Sequence, residues 1–238
     1  MDTPRDESVY VWDLPTRLFH WALVGLIAAA WLSAEFGSQS KVWHMRIGYA
    51  VITLVVFRVI WGFVGGRHAR FAAFLPTPGR LLRYLRTILS RTNAATVGHN
   101  PLGALSVIAL LAIVLGQALT GLFADDEIFT TGPFAGLVAS DWRKTLTGWH
   151  HQLFDILLVL IVLHLASIAF YRLWKRNDLV RPMITGRKPA TAVAPGEHDN
   201  PVPARGRVWL AAVVLAICAL GMWGALELFT PPPGDDYF

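Results

Sequence analysis

Four of the eight histidines in this 238-residue chain, His20, His44, His150 and His164, fall at or inside long apolar runs. An imidazole at membrane depth is costly and is rarely kept without a task. A single such histidine reads best as hydrogen-bonded to a neighbouring helix; four at particular spacings ask for more. His150 and His164 are 14 residues apart. At 100° per residue that spacing returns to within about 40° of the same helical face, with a rise of about 21 Å. His151 falls about 140° from His164, off that face. His150 is therefore the ligand candidate and His151 a bystander. Two neutral imidazoles on one face, well separated in height, can each hold a transition metal in a centre of its own. Cysteine takes no part, because the lone Cys218 permits no internal disulfide, no CxxCH attachment motif and no thiolate cluster.

The elements that must position these side chains are legible in the composition. Hydrophobic residues make up 54% of the chain and charged residues 16%, with a mean hydropathy of +0.46. A soluble domain carries about 25% charged residues. A soluble enzyme, a nucleic-acid module and a disordered tail are excluded. The pI of about 9.7 comes from bases in loops between apolar runs, which is a topology signal. A spanning helix needs roughly 20 apolar residues, and five runs qualify: 18–36, 45–64, 102–124, 153–173 and 208–229. The class is an all-α integral membrane protein. The acid-bearing opening and His20 read against a cleaved signal peptide. Asp13-Leu14-Pro15 and Asn100-Pro101 read as helix starts, Gly65-Gly66 as a stop, and 185–207 as a linker. Within 71–91, Leu81, Leu82, Leu85, Ile88 and Leu89 line one face of an amphipathic helix at the inner membrane surface.

Orientation follows from the loops. Residues 1–17, 65–100 and 172–207 together hold sixteen Lys and Arg, whereas 37–44 and 125–148 hold three, namely Lys41, Arg143 and Lys144. The positive-inside rule places the N-terminus in the cytoplasm and the C-terminus in the periplasm. Depth then selects partners. His20 lies near the inner end of the first span and His44 opens the second at the outer leaflet; His150 is outer and His164 inner. His20 can meet His164, and His44 can meet His150, while crossed pairs would be about 20 Å apart in depth. A pair of neutral imidazoles at each of two depths is what two six-coordinate haem irons require. Zinc fits poorly, since each depth offers two ligands rather than three or four.

Other residues fall into place around these four. Arg17 and Arg46 lie close in sequence to His20 and His44 and are candidates for pairing haem propionates, the competing reading being snorkelling to headgroups. Arg58, well inside the second span, needs an anion or polar partner. Gly25, Gly48 and Gly121 would let a flat ring approach a helix backbone, although small residues also serve plain helix packing. His99 sits just outside the third span, in reach of a propionate rather than an iron. His68 and His198 are loop residues expected to be solvated. The fifth span carries no His and reads as a docking or packing element.

The run Val11-Trp12-Asp13-Leu14-Pro15-Thr16-Arg17-Leu18-Phe19-His20-Trp21 resembles the opening of the bacterial cytochrome b561 family, which includes the nickel-hydrogenase b-type subunits. Phe57-Arg58-Val59-Ile60-Trp61-Gly62-Phe63-Val64-Gly65, Gly98-His99-Asn100-Pro101-Leu102-Gly103 and Met183-Ile184-Thr185-Gly186-Arg187-Lys188 look like its later motifs. The resemblance covers roughly residues 9–189. It implies a four-helix di-haem transmembrane bundle over 1–189, followed by a cytoplasmic linker (190–207), an additional fifth C-terminal transmembrane helix (208–229) and a periplasmic tail (230–238). It also implies two haem b groups, with ligands carried over onto His20, His44, His150 and His164. Members often have an acidic residue directly after the third ligand, where this chain has His151; ligation is unaffected, but acid-assisted proton or quinone chemistry there is not implied.

The resulting expectation is an inner-membrane di-haem b cytochrome moving electrons between the quinone pool and a periplasmic partner, either a c-type cytochrome or a dehydrogenase or hydrogenase subunit. It is an electron-transfer subunit rather than a stand-alone enzyme, and nucleic acid is not a partner. The acidic loop Asp125, Asp126 and Glu127 would steer a basic cytochrome c and repel superoxide, which disfavours a superoxide oxidase reducing quinone. A His-lined proton or ion pathway without haem is the alternative of another class, and the colour of the purified protein separates the two.

Overall fold

The computed structural model describes residues 8–90, 97–127, 130–189 and 206–229. In chain order the elements are β1 (Ser8–Tyr10), α1 (Leu14–Glu35), α2 (Gly37–Val64), α3 (Phe71–Phe74), α4 (Pro78–Thr87), α5 (Pro101–Phe123), a 3₁₀ turn (Ala135–Leu137), α6 (Ser140–Leu173), α7 (Val180–Thr185), β2 (Arg187–Pro189) and α8 (Gly206–Phe229). Five helices are long and apolar enough to cross a membrane: Leu14–Glu35, Lys41–Val64, Pro101–Phe123, Ser140–Leu173 and Arg207–Phe229. The chain is an all-α, multi-pass membrane protein. Its outward-facing residues are correspondingly apolar, with Leu18, Phe63, Val162 and Leu220 all more than 60% exposed, because lipid tails solvate them as well as a protein core would.

Helix starts obey local chemistry. Asp13 caps α1, its Oδ1 accepting from Thr16 N at 2.9 Å, and Asn100 caps α5, its Oδ1 accepting from Gly103 N at 2.8 Å. Each satisfies a donor that helix geometry leaves without a carbonyl. Proline follows in the first turn of both, where its missing N–H costs nothing. Two expectations need correction. Pro76 divides the amphipathic stretch, so α3 and α4 replace one helix over 71–91; a proline ring excludes the helical conformation of the residue before it. The second helix begins at Gly37, so His44 stands in its second turn rather than opening it.

The residues divide into two compact units. The first comprises 1–19, 59–109 and 160–211, and Asp13 organises it. Besides capping α1, buried Asp13 accepts from Trp61 Nε1 and Gly66 N through Oδ2, both at 3.1 Å. One carboxylate thus ties the start of α1 to the end of α2. The strands pair antiparallel, with Val9 opposite Lys188. Gly186 ends α7 at φ +81°, a conformation glycine adopts without a Cβ penalty, and its carbonyl accepts from Val11 N at 2.8 Å. His99 lies between the Trp12 and Phe74 rings, 4.6 Å from each centroid. The Tyr84 and Tyr171 hydroxyls are hydrogen-bonded, and burial raises the Tyr84 pKa. His68 is half-buried rather than solvated. His198, most of the linker over 190–207 and the tail 230–238 lie outside the described residues.

The second unit comprises 20–58, 110–159 and 212–238. It contains a cavity flanked by α1, α2, α5 and α6, and a loop after α5 that folds back on itself, Gly132 N donating to Ala124 O at 2.7 Å and Phe134 N to Leu122 O at 2.9 Å.

Candidate metal centre

Within the second unit α2 and α6 bring His44 and His150 together, ring centroids 6.1 Å apart and planes nearly perpendicular at 87°. The other nitrogen of each ring is anchored on a neighbouring helix. His44 Nδ1 lies 2.9 Å from Ala30 O on α1, and His150 Nδ1 lies 2.8 Å from Gln117 O on α5. A carbonyl only accepts, so each Nδ1 carries the proton and donates it, leaving both Nε2 atoms with a lone pair. That is the tautomer a metal-binding imidazole takes, with its far nitrogen held by a backbone carbonyl.

The surroundings reinforce this arrangement. The Gln117 side-chain amide lies 3.3 Å from His150 Nε2, while Gln117 Oε1 is buried without a hydrogen-bond partner among the described residues. Thr120 Oγ1 donates to Gly116 O at 2.8 Å and also lies 3.4 Å from His150 Nδ1. A Cβ on Gly121 would stand 2.9 Å from His150 Cε1, so the missing side chain is what lets the ring lie against α5. Around Gly48 there is open space within 4 Å. The cavity has a volume of about 420 Å³ and is bounded by His44, Gly48, Gln117, Gly121, His150 and Phe154, among others, within the range of small-molecule and cofactor sites.

No group of three or more His, Cys, Asp or Glu is placed to hold a metal among the described residues. Two imidazoles alone would hold a metal that arrives with further ligands of its own.

A profile of the prokaryotic cytochrome b561 family matches residues 11–186. The chain belongs to that family. Relatives include proteins described as probable Ni/Fe-hydrogenase B-type cytochrome subunits. The one from Rhizobium leguminosarum bv. viciae is 26% identical over 221 residues, covering 76% of this chain and 89% of its own length. That from Azotobacter chroococcum mcd 1 is 26% identical over 214 residues, with the same coverage. A probable Ni/Fe-hydrogenase 1 B-type cytochrome subunit of Escherichia coli (strain K12) is 21% identical over 215 residues, 75% of this chain and 90% of its own. A b561-family protein is a b-type cytochrome, and its cofactor is haem b. The residues present fit that group: two imidazoles from different helices stand 6.1 Å apart with their Nδ1 atoms on backbone carbonyls, a glycine admits one of the rings, and a mostly apolar cavity adjoins them.

The remaining expected residues are placed as follows in this b561-family cytochrome. His20, half-buried on α1, packs edge-on to Trp21 with ring centroids 5.2 Å apart; His164 is half-buried on α6. Arg17 donates from Nη1 to Ile184 O, at the end of α7. Arg46 is exposed, with Cζ 5.3 Å from the centroid of the Trp43 ring; two residues from His44 it points about 200° round α2. Arg58 is 3% exposed. Gly25 has open space around it but borders a different groove, beside Trp21 and Ala50. His151 is exposed, its ring 6.3 Å from that of His150.

The acidic loop is not the unopposed negative patch its sequence suggests. Asp126 pairs with Lys41 at 2.6 Å, Asp125 with Arg143 at 3.1 Å and Glu127 with Lys144 at 3.4 Å. The bases that neutralise it come from α2 and α6, distant in sequence. Sequence reasoning also passed over Gln117 and Thr120. The available signal was their polarity inside the very apolar run that becomes α5.

Proposed function

We propose that the chain is a two-haem electron conduit, with one haem b held by His44 and His150 and a second by His20 and His164. The pair His44 and His150, each anchored through Nδ1, carries this reading. The second pair rests on helical register, since His164 shares a face of α6 with His150 about 21 Å away. Bound haem supplies reversible one-electron exchange.

The protein's own residues do the rest. Ala30 O and Gln117 O hold the two rings in one tautomer and orientation, so ligation needs no proton rearrangement. Gly48 leaves open space for a flat group and Gly121 admits the His150 ring, beside a cavity whose lining is mostly apolar. Arg17 and Arg46 remain candidates for propionate pairing, Arg17 having a buried Nε without a hydrogen-bond partner among the described residues.

The loop charges support an inner-membrane protein with a cytoplasmic N-terminus and a periplasmic C-terminus. On that orientation the His44/His150 centre is periplasmic. The relatives' names support a nickel–iron hydrogenase as the redox partner, with the quinone pool at the other terminus of the path. Neutralisation of the 125–127 loop leaves little in that loop to steer a basic c-type cytochrome.

Haem content tests the reading. Protein purified in mild detergent and fully loaded should hold two haem b per chain, with a low-spin bis-imidazole reduced spectrum. A ratio of one or below overturns the two-centre proposal.

A further inference from the structure

Asp155 is the sixteenth of the 34 residues of α6 and is exposed. Along the helix it stands about 16 Å from Lys144 and about 25 Å from Arg172, the nearest Lys or Arg in either direction. No hydrogen bond or ion pair engages it among the described residues. An ionisable group at such depth ordinarily faces a protein interior and a partner rather than lipid.

Its neighbours on that face follow a pattern. Gln152, Asp155, Val159, Val162, Ala166 and Ala169 are spaced alternately by three and four residues, and all are exposed. They lie roughly 100° to 200° round α6 from His150, so a haem ligated by His150 would not cover them. A three–four repeat with β-branched and small residues is the seam of a left-handed helix pair, and a single polar position within such a seam sets its register.

We infer that this face of α6 docks a second copy of the chain, α6 against α6. Copies in one membrane share an orientation, so the helices would run parallel and positions of equal depth would meet. The face is self-complementary: Gln152 carries amide donors and Asp155 carries acceptors, three residues and about 4.5 Å of rise apart. The amide of each copy therefore falls within reach of the carboxylate of the other.

The holoprotein, extracted in styrene–maleic acid particles without detergent, should be a dimer by native mass spectrometry. In a Cys218→Ser background, Val159→Cys should form an oxidative cross-link between copies in native membranes, and Leu165→Cys, exposed but off the seam, should not. Asp155→Leu should cut the dimer fraction at least tenfold with haem content retained, while Asp155→Asn, which keeps a carbonyl acceptor, should preserve it. If Asp155→Leu fails to fold, the Val159→Cys and Leu165→Cys comparison decides on its own. A monomeric wild type, equal cross-linking at the two positions, or an Asp155→Leu protein as dimeric as wild type overturns the proposal. Cross-linking of Val159→Cys to a polypeptide of different mass also overturns it, assigning the face to a partner's transmembrane helix.

Discussion

His150 and His151 are adjacent, yet only one of them has its Nδ1 on a backbone carbonyl and its ring against a glycine. That difference sets the expected behaviour of substitutions. His150→Ala should leave one haem per chain, while His151→Ala should keep both, measured as haem-to-protein ratio on purified protein. Loss of a haem from the His151 variant alone would mean the ligand assignment is wrong. Gly121→Val extends the same argument to α5. Its side chain would occupy the space of the His150 imidazole, so the haem bound there should be lost while the protein still extracts and folds as a helical membrane protein. Full haem loading of Gly121→Val would show that the ring does not need this position clear.

Among the elements, the joint between α1 and α2 depends on Asp13. Its carboxylate accepts three hydrogen bonds, from Thr16 N, Trp61 Nε1 and Gly66 N. Asp13→Ala would strand the Trp61 and Gly66 donors in a buried place, a loss of about 2–4 kcal/mol given the cost of unsatisfied buried groups. Asp13→Asn should be nearly as damaging, since the amide would turn a donor toward donors wherever its oxygen serves the cap. The measurement is the thermal midpoint of the purified holoprotein; an Asn variant as stable as wild type would mean that the charge and one of the two acceptor oxygens are dispensable. The same carboxylate makes one joint of Trp12-Asp13-Leu14-Pro15 and of Trp61 with Gly65-Gly66, segments far apart in sequence.

At the scale of the whole molecule, the proposed orientation makes a direct prediction about access. In a Cys218→Ser background, Lys144→Cys should react with a membrane-impermeant maleimide in intact spheroplasts. Arg67→Cys should react only after permeabilisation. Both positions are exposed, so a reversed pattern would invert the topology and place the His44/His150 centre on the cytoplasmic side. Exposed ion pairs such as Lys144 with Glu127, both more than 60% exposed, contribute little to stability, so the Lys144 substitution should not disturb the fold it reports on.

The spans, the caps at Asp13 and Asn100, the stop at Gly65-Gly66 and the separation of His150 from His151 are all readable from the chain itself. Each depends on properties that act within a turn or a span: apolar length against bilayer thickness, the hydrogen-bonding reach of a capping side chain, and 100° per residue of helical rotation. Pro76 is a local signal too, and the leucine spacing around it masks the break it imposes. What only the tertiary structure decided were the relations between distant segments. Gln117 O and Ala30 O select the tautomers of His150 and His44, Gly121 admits a ring from α6, and Lys41, Arg143 and Lys144 cancel a loop that looks simply acidic. No periodicity announces these, because they depend on how neighbouring helices are rotated and staggered, and that is set by side-chain packing between segments far apart in the chain.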